Sequence, residues 1–355
     1  MEPEIRHKPI RYYEIDLLRF IAALAVVIYH FTFAGYYHGV SPVQYSELAQ
    51  VFKYGFLGVE LFFMISGYVV LLSAQGKTIG QFFTSRVTRL YPAYWVACTL
   101  CFVVVRLFAP TQSGLDASIG HYVVNMTMLQ AFFNIPNLDG VYWTLAYEIA
   151  FYFLIAIMIS FQWLKHPILC LTAWLGYCLV ATLAFNTGPF AFLFFPQYAP
   201  YFIAGMVLFL LQMGQGSRWK LYVLLVASYS LAITACLEHI AGTAAHYHQP
   251  FSKNVAVALI TFFFIVFLLI INRKIKIRQS KWLTYAGALT YPMYLCHHNI
   301  GYVTFQRLGS KVDKYVLLGT MLATVLLLAY LINTFIERRF STLLGQRVNA
   351  LLSRA

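Results

Sequence analysis

A cation and an imidazole share one face of the first apolar segment of the chain. Arg19 and His30 are eleven residues apart, and at 3.6 residues per turn this spacing brings both side chains to the same side of a helix. At 1.5 Å per residue they lie roughly 16 Å apart along the axis. Because polar groups that face lipid are costly, both are expected to face protein or water. One end of this face can hold an anion, and the other can move a proton.

Two further arginines extend the predicted anion site. Arg86 and Arg89 are three residues apart and share one face of a helical turn. At the same predicted depth as Arg19, their forked donors could bind phosphate groups. The alternative is that they only set the topology or contact lipid headgroups. Ser66 and Gly67, near mid-membrane, offer one hydroxyl or simply allow close packing of helices.

A carboxylate and a tyrosine–histidine group are predicted at the depth of His30. Glu148 lies in the fourth apolar segment and could orient an imidazole, take up a proton, or form a structural ion pair. Tyr294, His297 and His298 follow the i, i+3, i+4 pattern and share a helix face. No metal site is predicted, because the histidines lack nearby cysteine or acidic ligands. The histidines of the outer loops are expected to be solvated: His38, His121, His246 and His248.

The composition excludes an ordinary soluble protein. The chain has 355 residues, of which 61% are hydrophobic and 10% charged, too few polar groups to cover a soluble core. Recurrent apolar runs of about twenty residues predict an all-α, polytopic membrane protein with about ten transmembrane helices. The predicted spans are 14–36, 55–74, 90–109, 142–163, 167–185, 195–213, 219–240, 254–272, 283–306 and 313–336. The segment 118–133 is short and is predicted to be interfacial or re-entrant.

The distribution of Lys and Arg predicts the orientation. With the N-terminus inside, eighteen basic residues of the loops and termini lie on the cytoplasmic side and five on the outer side. Both termini are therefore predicted to be cytoplasmic, and the net charge of +13 is assigned to topology and not to nucleic-acid binding. The first run is too long and too polar for a cleaved signal peptide and is predicted to be an uncleaved first helix. The protein is expected in the inner (plasma) membrane. A transmembrane domain is predicted at 1–340, with a short cytoplasmic tail at 341–355.

Five motifs occur in order along the chain. They are Arg19–x10–His30, Phe62-Phe63-Met64-Ile65-Ser66-Gly67, Arg86-Val87-Thr88-Arg89-Leu90-Tyr91-Pro92, Trp143-Thr144-Leu145 with Glu148, and the segment 291–298. The ordered set covers almost the whole chain and resembles the membrane acyltransferase-3 family of bacterial integral-membrane O-acyltransferases, which modify cell-surface glycans. The resemblance implies transfer of an acyl group, usually acetyl, from cytoplasmic acyl-CoA (acetyl-CoA) to a hydroxyl of a cell-surface polysaccharide or lipid-linked glycan precursor.

The donor is predicted to bind at an inner pole of the helix bundle. Arg19, Arg86 and Arg89 would hold the phosphates of acyl-CoA, with Ser66 beside the acyl-bearing arm. The arm would extend between the helices, so that the thioester lies near His30. This arrangement follows from the resemblance together with the predicted depth of the residues.

The chemistry is predicted at an outer pole. His30 is expected to act as general base on the acceptor hydroxyl, and Glu148 is expected to orient its imidazole or stabilise the cation. Tyr294, His297 or Ser66 would donate a hydrogen bond to the oxyanion. Glu148, Tyr294 and His297 are therefore grouped with His30 as predicted catalytic residues.

A second class of function fits part of the same pattern. Arginine and histidine facing a cavity would equally serve a transporter or permease for a glycan precursor or anion. The ordered motifs and the lack of an internal repeat favour the enzyme, and a permease would leave acyl-CoA intact. A sensor or scaffold is a third alternative, disfavoured because both poles look intact. Membrane lipids are the remaining predicted partners.

Overall fold

All regular elements of the described chain are helical. The computed structural model describes residues 12–111, 113–115, 117–184 and 190–353, and within these ranges no strand is present, which confirms the all-α class. The helices are α1 Tyr13–Tyr37, α2 Ser46–Phe52, α3 Gly58–Ala74, α4 Ile79–Phe108, α5 Ile119–Asn125, α6 Trp143–Ser160, α7 Pro167–Leu183, α8 Ala191–Phe194, α9 Ala199–Met213, α10 Arg218–Tyr247, α11 Lys253–Ile271, α12 Lys281–Cys296, α13 His298–Leu308, α14 Lys314–Leu331 and α15 Arg338–Leu352. Two π-helical turns occur at His30–Ala34 and Ile332–Glu337, and 3-10 turns at Gly55–Leu57, Gln130–Phe133, Gly140–Tyr142 and Trp163–Lys165.

The helices are those of a multi-pass membrane protein. Seven helical stretches of the described chain are long and apolar enough to cross a bilayer: Tyr13–Tyr37, Ser46–Ala74, Ile79–Phe108, Gly140–Ser160, Arg218–Tyr247, Lys253–Ile271 and Lys314–Leu352. The other three predicted spans are helical but shorter or interrupted. Helix α7 has 17 residues and α9 has 15, whereas α12 and α13 are separated at His297.

The centre of the bundle is the contact between α3 and α9. Gly67 on α3 lies against the backbone of Phe202 on α9, and a Cβ atom at position 67 would overlap the Phe202 carbonyl oxygen. This agrees with the interpretation of Gly67 as a residue that allows close helix packing. Helix α1 packs on both α3 and α12. The three helices α1, α3 and α12 thereby form a rigid frame for the polar side chains between them.

Helix α4 begins eleven residues earlier than the predicted span. Thr78 and Gln81 form a capping box at its start, with the Gln81 N–H donating to Thr78 Oγ1 at 3.3 Å and the Thr78 N–H donating to Gln81 Oε1 at 3.1 Å. The helix continues through Pro92. The predicted span begins at residue 90 and places Arg86 and Arg89 before it. In the structure both arginines lie within α4.

The segment after residue 340 continues as helix α15 and packs on α4. Thr84 Oγ1 donates to Asn349 Oδ1 at 2.8 Å, and Ser341 Oγ donates to the Thr88 carbonyl at 2.9 Å. Residues 354 and 355 of the predicted tail lie outside the described residues. The first turns of α4 are thus braced by the C-terminal helix.

The short segment between α4 and α6 positions a buried loop. Asn125, at the end of α5, is buried; its Nδ2 donates to the Pro136 carbonyl at 3.0 Å and its Oδ1 accepts from the Leu138 N–H at 2.9 Å. Tyr94 on α4 donates its hydroxyl to the Asn125 carbonyl at 2.7 Å. These bonds hold residues 136–139 inside the bundle instead of on its surface, so Asp139 lies in the interior.

Candidate active site

One cavity, the arginine cavity, has apolar and aromatic walls, and its lining includes Arg19 on α1, Ser66 on α3, Arg86 and Arg89 on α4, and Glu148 on α6. Its volume is about 140 Å³. Its lining holds three guanidinium groups and one carboxylate, so the cavity carries excess positive charge and suits an anion. The four residues predicted to bind the donor are thereby brought together.

The arginines of this cavity are held by aromatic and acidic neighbours. Arg89 Nη1 lies 3.1 Å from Glu337 Oε1, and the Arg86 guanidinium lies 5.4 Å from the ring centroid of Tyr152. The Tyr152 hydroxyl donates to Glu148 Oε1 at 2.5 Å. A guanidinium has five N–H donors, so these contacts orient the forks of Arg86 and Arg89 and leave donors for a ligand.

The position of Glu148 differs from the prediction. Glu148 lines the arginine cavity and contacts Tyr152, whereas it was expected at the depth of His30. The reason is that residues 138–139 already lie inside the bundle, so the loop before α6, and not Glu148, brings a carboxylate to the histidines. Glu148 lies nine residues further along the chain than Asp139 and more than one turn inside α6. Glu148 is therefore not the partner of the imidazole.

A second cavity, the histidine cavity, has a volume of about 620 Å³ and is lined by His30, His298, Trp143, Tyr302 and His239, among others. His30 opens the π-helical turn of α1, a distortion that often marks functional sites. The rings of His30 and His298 are nearly perpendicular, with centroids 4.7 Å apart. Two imidazoles thus face the same space.

The hydrogen bonds of His30 determine which of its nitrogens carries the hydrogen in the neutral ring. His30 Nδ1 lies 2.9 Å from the Val26 carbonyl oxygen and 3.0 Å from His297 Nε2. A carbonyl oxygen only accepts, so we assign the hydrogen of neutral His30 to Nδ1. Nε2 of His30 then carries a lone pair and is free to accept a proton from a group in the cavity.

His297 supports His30 and does not reach the cavity itself. It is completely buried, and its Nδ1 donates to the Tyr294 carbonyl at 2.7 Å. Its Nε2 consequently accepts from His30 Nδ1. Both nitrogens are occupied, so His297 has no N–H left to donate to an oxyanion. The structure differs here from the prediction that His297 donates to the oxyanion. It is a positioning residue.

His298 is paired with a carboxylate that sequence reasoning missed. Its Nδ1 lies 3.0 Å from Asp139 Oδ1 and 2.9 Å from Asn299 Oδ1. Asp139 is fully buried and also accepts from the N–H groups of Asn299 at 3.0 Å and Val141 at 3.2 Å. Although burial raises the pKa of Asp139, the His298 imidazole, the Asn299 N–H and the nearby His297 ring lower it overall. Gly140 leaves room for the ring, since a Cβ there would lie 2.6 Å from His298 Cε1.

Tyr294 lies between the two cavities and lines both of them. Its hydroxyl is 3.0 Å from Thr144 Oγ1 and 3.1 Å from the Val141 carbonyl oxygen. Val59 is also common to the two linings. The arginine cavity and the histidine cavity therefore meet at Tyr294 and Val59.

Two of the histidines expected to be solvated contribute to the histidine cavity. His38 Nε2 lies 2.8 Å from the Tyr247 hydroxyl, and His246 Nε2 lies 3.3 Å from His38 Nδ1. Both histidines line the cavity. The contact joins residues more than 200 positions apart in the chain, so no local pattern could indicate it.

Comparison with known proteins agrees with this arrangement. A family model described as an acyltransferase domain matches residues 12–336, which is most of the chain, and the protein belongs to this acyltransferase family. The match includes both cavities and confirms the resemblance seen in the motifs. No solved structure matches the chain.

Individual relatives are distant. ORF330 of Acidianus two-tailed virus, a protein with the provisional name of acetyltransferase, is 23% identical over 288 residues, covering 80% of this chain and 81% of its own. The peptidoglycan O-acetyltransferase OatA of Listeria monocytogenes is 28% identical over 188 residues, covering 47% of this chain and 27% of OatA. The O-acetyltransferase OatA of Staphylococcus aureus strain NCTC 8325 is 29% identical over 163 residues, covering 41% and 24%. The chain thus spans about a quarter of either OatA protein.

Proposed function

We propose that this member of the acyltransferase family transfers an acetyl group from acetyl-CoA to a hydroxyl of a cell-surface polysaccharide or lipid-linked glycan precursor. The observation that carries the proposal is the pair of cavities separated by Tyr294. One cavity is cationic and suits a phosphorylated donor, and the other presents imidazoles and suits proton transfer. The O-acetyltransferase names of the bacterial relatives support the choice of acetyl and of a glycan.

The donor would bind with its phosphates at the arginine cavity. Arg19, Arg86 and Arg89 can hold phosphate oxygens by charge-assisted hydrogen bonds. The cavity of about 140 Å³ is smaller than the roughly 300–1,000 Å³ of pockets that enclose drug-sized ligands. It therefore fits an unbranched arm, while a nucleotide would remain at the mouth. Movement of Tyr294 would let the arm bring its thioester to the histidine cavity.

His30 is proposed as the general base. Its Nδ1–H is held by Val26 and His297, which leaves the lone pair of Nε2 as the acceptor of a residue that lines the histidine cavity. In the proposed step Nε2 takes the proton of the acceptor hydroxyl while the oxygen attacks the thioester carbonyl. When the C–S bond breaks, the proton passes from His30 to the CoA thiolate, so the enzyme returns to its starting state. General base catalysis contributes about 10²–10⁴-fold, and binding and electrostatics supply the rest.

His298 is proposed as the oxyanion donor. Asp139 is a fully buried carboxylate whose imidazole contact is His298, and a buried charge is stabilised by a paired cation. As an imidazolium, His298 presents Nε2–H to the cavity that His30 faces with a lone pair. The sequence predicts that Tyr294, His297 or Ser66 donates the hydrogen bond to the oxyanion. We assign it to His298 instead, with Asp139 as the residue that positions His298.

The proposed topology keeps ten crossings with both termini in the cytoplasm and the protein in the inner membrane. The asymmetry of eighteen against five basic residues supports this orientation. Helices α7 and α9 and the interrupted pair α12–α13 would supply the three crossings beyond the seven long ones. Helix α9 is short, but residues 199–210 are all buried by protein, so it does not have to match the thickness of the lipid.

The test is transfer of radiolabelled acetyl from acetyl-CoA to glycan by the purified protein in lipid vesicles. Labelled glycan, with CoA thiol released in equal amount, is the expected result. A permease for a glycan precursor or an anion is the competing candidate, favoured by the polar cavities. Glycan or anion flux across the vesicle without consumption of acetyl-CoA would overturn the proposal in its favour.

A further inference from the structure

A third cavity lies beside the histidine cavity and contains a carboxylate oxygen without a partner. This acidic cavity has a volume of about 260 Å³ and is lined by Glu60, Gln197, Tyr198, Tyr201, Ala235, Glu238 and His239. Glu60 lies at the start of α3 and is only 1% exposed. Its Oε1 lies 3.1 Å from His239 Nδ1, but among the described residues its Oε2 has no hydrogen-bond partner.

Glu60 Oε2 can accept a hydrogen bond from a ligand. A buried polar atom without a hydrogen bond costs about 1–3 kcal/mol, and a carboxylate oxygen can accept two bonds. The mouth of the cavity is formed by exposed residues, Gln197 and Glu238, so a ligand can approach from outside. The cavity therefore has a polar floor at Glu60 and an open polar rim.

The chemistry of the lining selects the class of ligand. Two carboxylates line the acidic cavity, and no Lys or Arg does so among the described residues; phosphates and acidic groups are therefore repelled. The described residues also contain no group of three or more His, Cys, Asp or Glu side chains placed to hold a metal ion. Hydroxyl groups fit this lining as hydrogen-bond donors to Glu60, and the ring of Tyr198 offers an apolar face for a sugar.

The acidic cavity is adjacent to the proposed chemistry. His239 lines both the acidic cavity and the histidine cavity. Tyr198 packs against Trp143 of the histidine cavity, with ring centroids 5.3 Å apart. A sugar unit bound at Glu60 would therefore be a neighbour of the unit whose hydroxyl reaches His30.

We infer that the acidic cavity is an acceptor subsite that binds the hydroxyls of an uncharged sugar through Glu60, and this inference rests on the proposed function. Glu60 accepts hydroxyl hydrogens at Oε2, while His239 holds Oε1. The subsite selects neutral glycans against uronic acids. It is distinct from the arginine cavity, where the donor phosphates would bind.

The test is saturation-transfer NMR on the purified protein in detergent, without acyl donor. The probes are the methyl glycosides of glucose, galactose, mannose and N-acetylglucosamine, with methyl glucuronide as the acidic counterpart of methyl glucoside. Wild type should give signals from at least one neutral glycoside and weaker signals from the glucuronide. Glu60→Gln should weaken binding of that glycoside about tenfold or more, the effect of losing a charge-assisted hydrogen bond.

Two further variants keep the result interpretable. Glu47→Gln changes an exposed carboxylate on α2 and should bind sugar as wild type does. Glu238→Gln changes an exposed residue at the mouth, so it should fold even if Glu60→Gln does not, and it should raise glucuronide binding relative to glucoside.

Four outcomes would overturn the inference. Three of these are no signal from any neutral glycoside with wild type, equal signals from glucoside and glucuronide, and unchanged binding in Glu60→Gln. The fourth uses methyl glucosaminide as an additional, cationic probe and is its preferential binding over the neutral glycosides. Failure of the proposed function would look different, because sugar would still bind but acetyl would not be transferred.

Discussion

Replacing Asp139 by Asn removes the charge that holds His298 and changes little else in shape. The carboxylate accepts from His298, Val141 and Asn299. The amide orientation that keeps the bond to His298 turns its NH2 group toward the Asn299 N–H, where one donor loses its acceptor. The main effect, however, is that an imidazolium at His298 loses its counter-charge at 3.0 Å.

The expected loss of turnover equals that of one oxyanion donor. Removing such a donor costs about 10²–10³-fold in kcat, or about 2.7–4 kcal/mol of transition-state stabilisation. The KM for acetyl-CoA should stay within about threefold, because the phosphates are proposed to bind at the arginine cavity.

The assay is acetyl transfer by detergent-purified protein at neutral pH, with elution volume and thermal unfolding as checks on folding. Asp313→Asn is the matched control, because Asp313 is an exposed carboxylate at the start of α14 and its replacement should leave kcat unchanged. The reasoning would be refuted by an Asp139→Asn protein that is folded and retains kcat within threefold.

Three other predictions address the donor site, the packing and the acid stability. Arg19→Ala should raise the KM for acetyl-CoA roughly 10–150-fold through loss of a charged hydrogen bond, with little change in kcat. Arg218→Ala, at the start of α10, should leave KM unchanged. Equal KM values in the two variants would contradict the donor assignment. Gly67→Ala should destabilise the protein by about 1–3 kcal/mol through overlap with the α9 backbone, and this is measured as a lower Tm. A Cβ atom at Gly176 would have no atom within 4 Å, so Gly176→Ala should not lower the Tm. The pKa of Asp139 is lower in the folded state, so its stabilisation is complete above about pH 4 and is lost as the pH falls through the folded value. The Tm of wild type should therefore fall more steeply below about pH 4 than that of Asp139→Asn, and parallel curves would contradict this.

Local spacing predicted the parts of the site that lie on single helices. The interval between Arg19 and His30 predicted one helix face, and in the structure that face reaches from the arginine cavity to the histidine cavity. The pair Arg86 and Arg89 was placed with Arg19 from spacing and depth, and all three line one cavity. Helical periodicity carries this information because the residues share one element.

The parts that depend on tertiary contacts could not be predicted. Asp139 lies in a loop, and its burial depends on Asn125 and on the Tyr94 hydroxyl bond to that residue. A polar residue just before an apolar helix is typical of an ordinary turn. The sequence therefore predicts Glu148, and not Asp139, as the carboxylate beside the histidines. The sequence also has no signal for the π-helical turn that begins at His30. These features decide which carboxylate meets which imidazole.

The central claim is that His30 takes the proton of an acceptor hydroxyl in acyl transfer from acetyl-CoA. The most direct test is acceptor-stimulated thiol release from acetyl-CoA by purified His30→Ala beside wild type, at saturating donor. We expect wild type to release thiol in proportion to acetylated glycan, and His30→Ala to lose about 10²–10⁴-fold in kcat while still binding acetyl-CoA. Full transfer activity in folded His30→Ala protein would contradict the account.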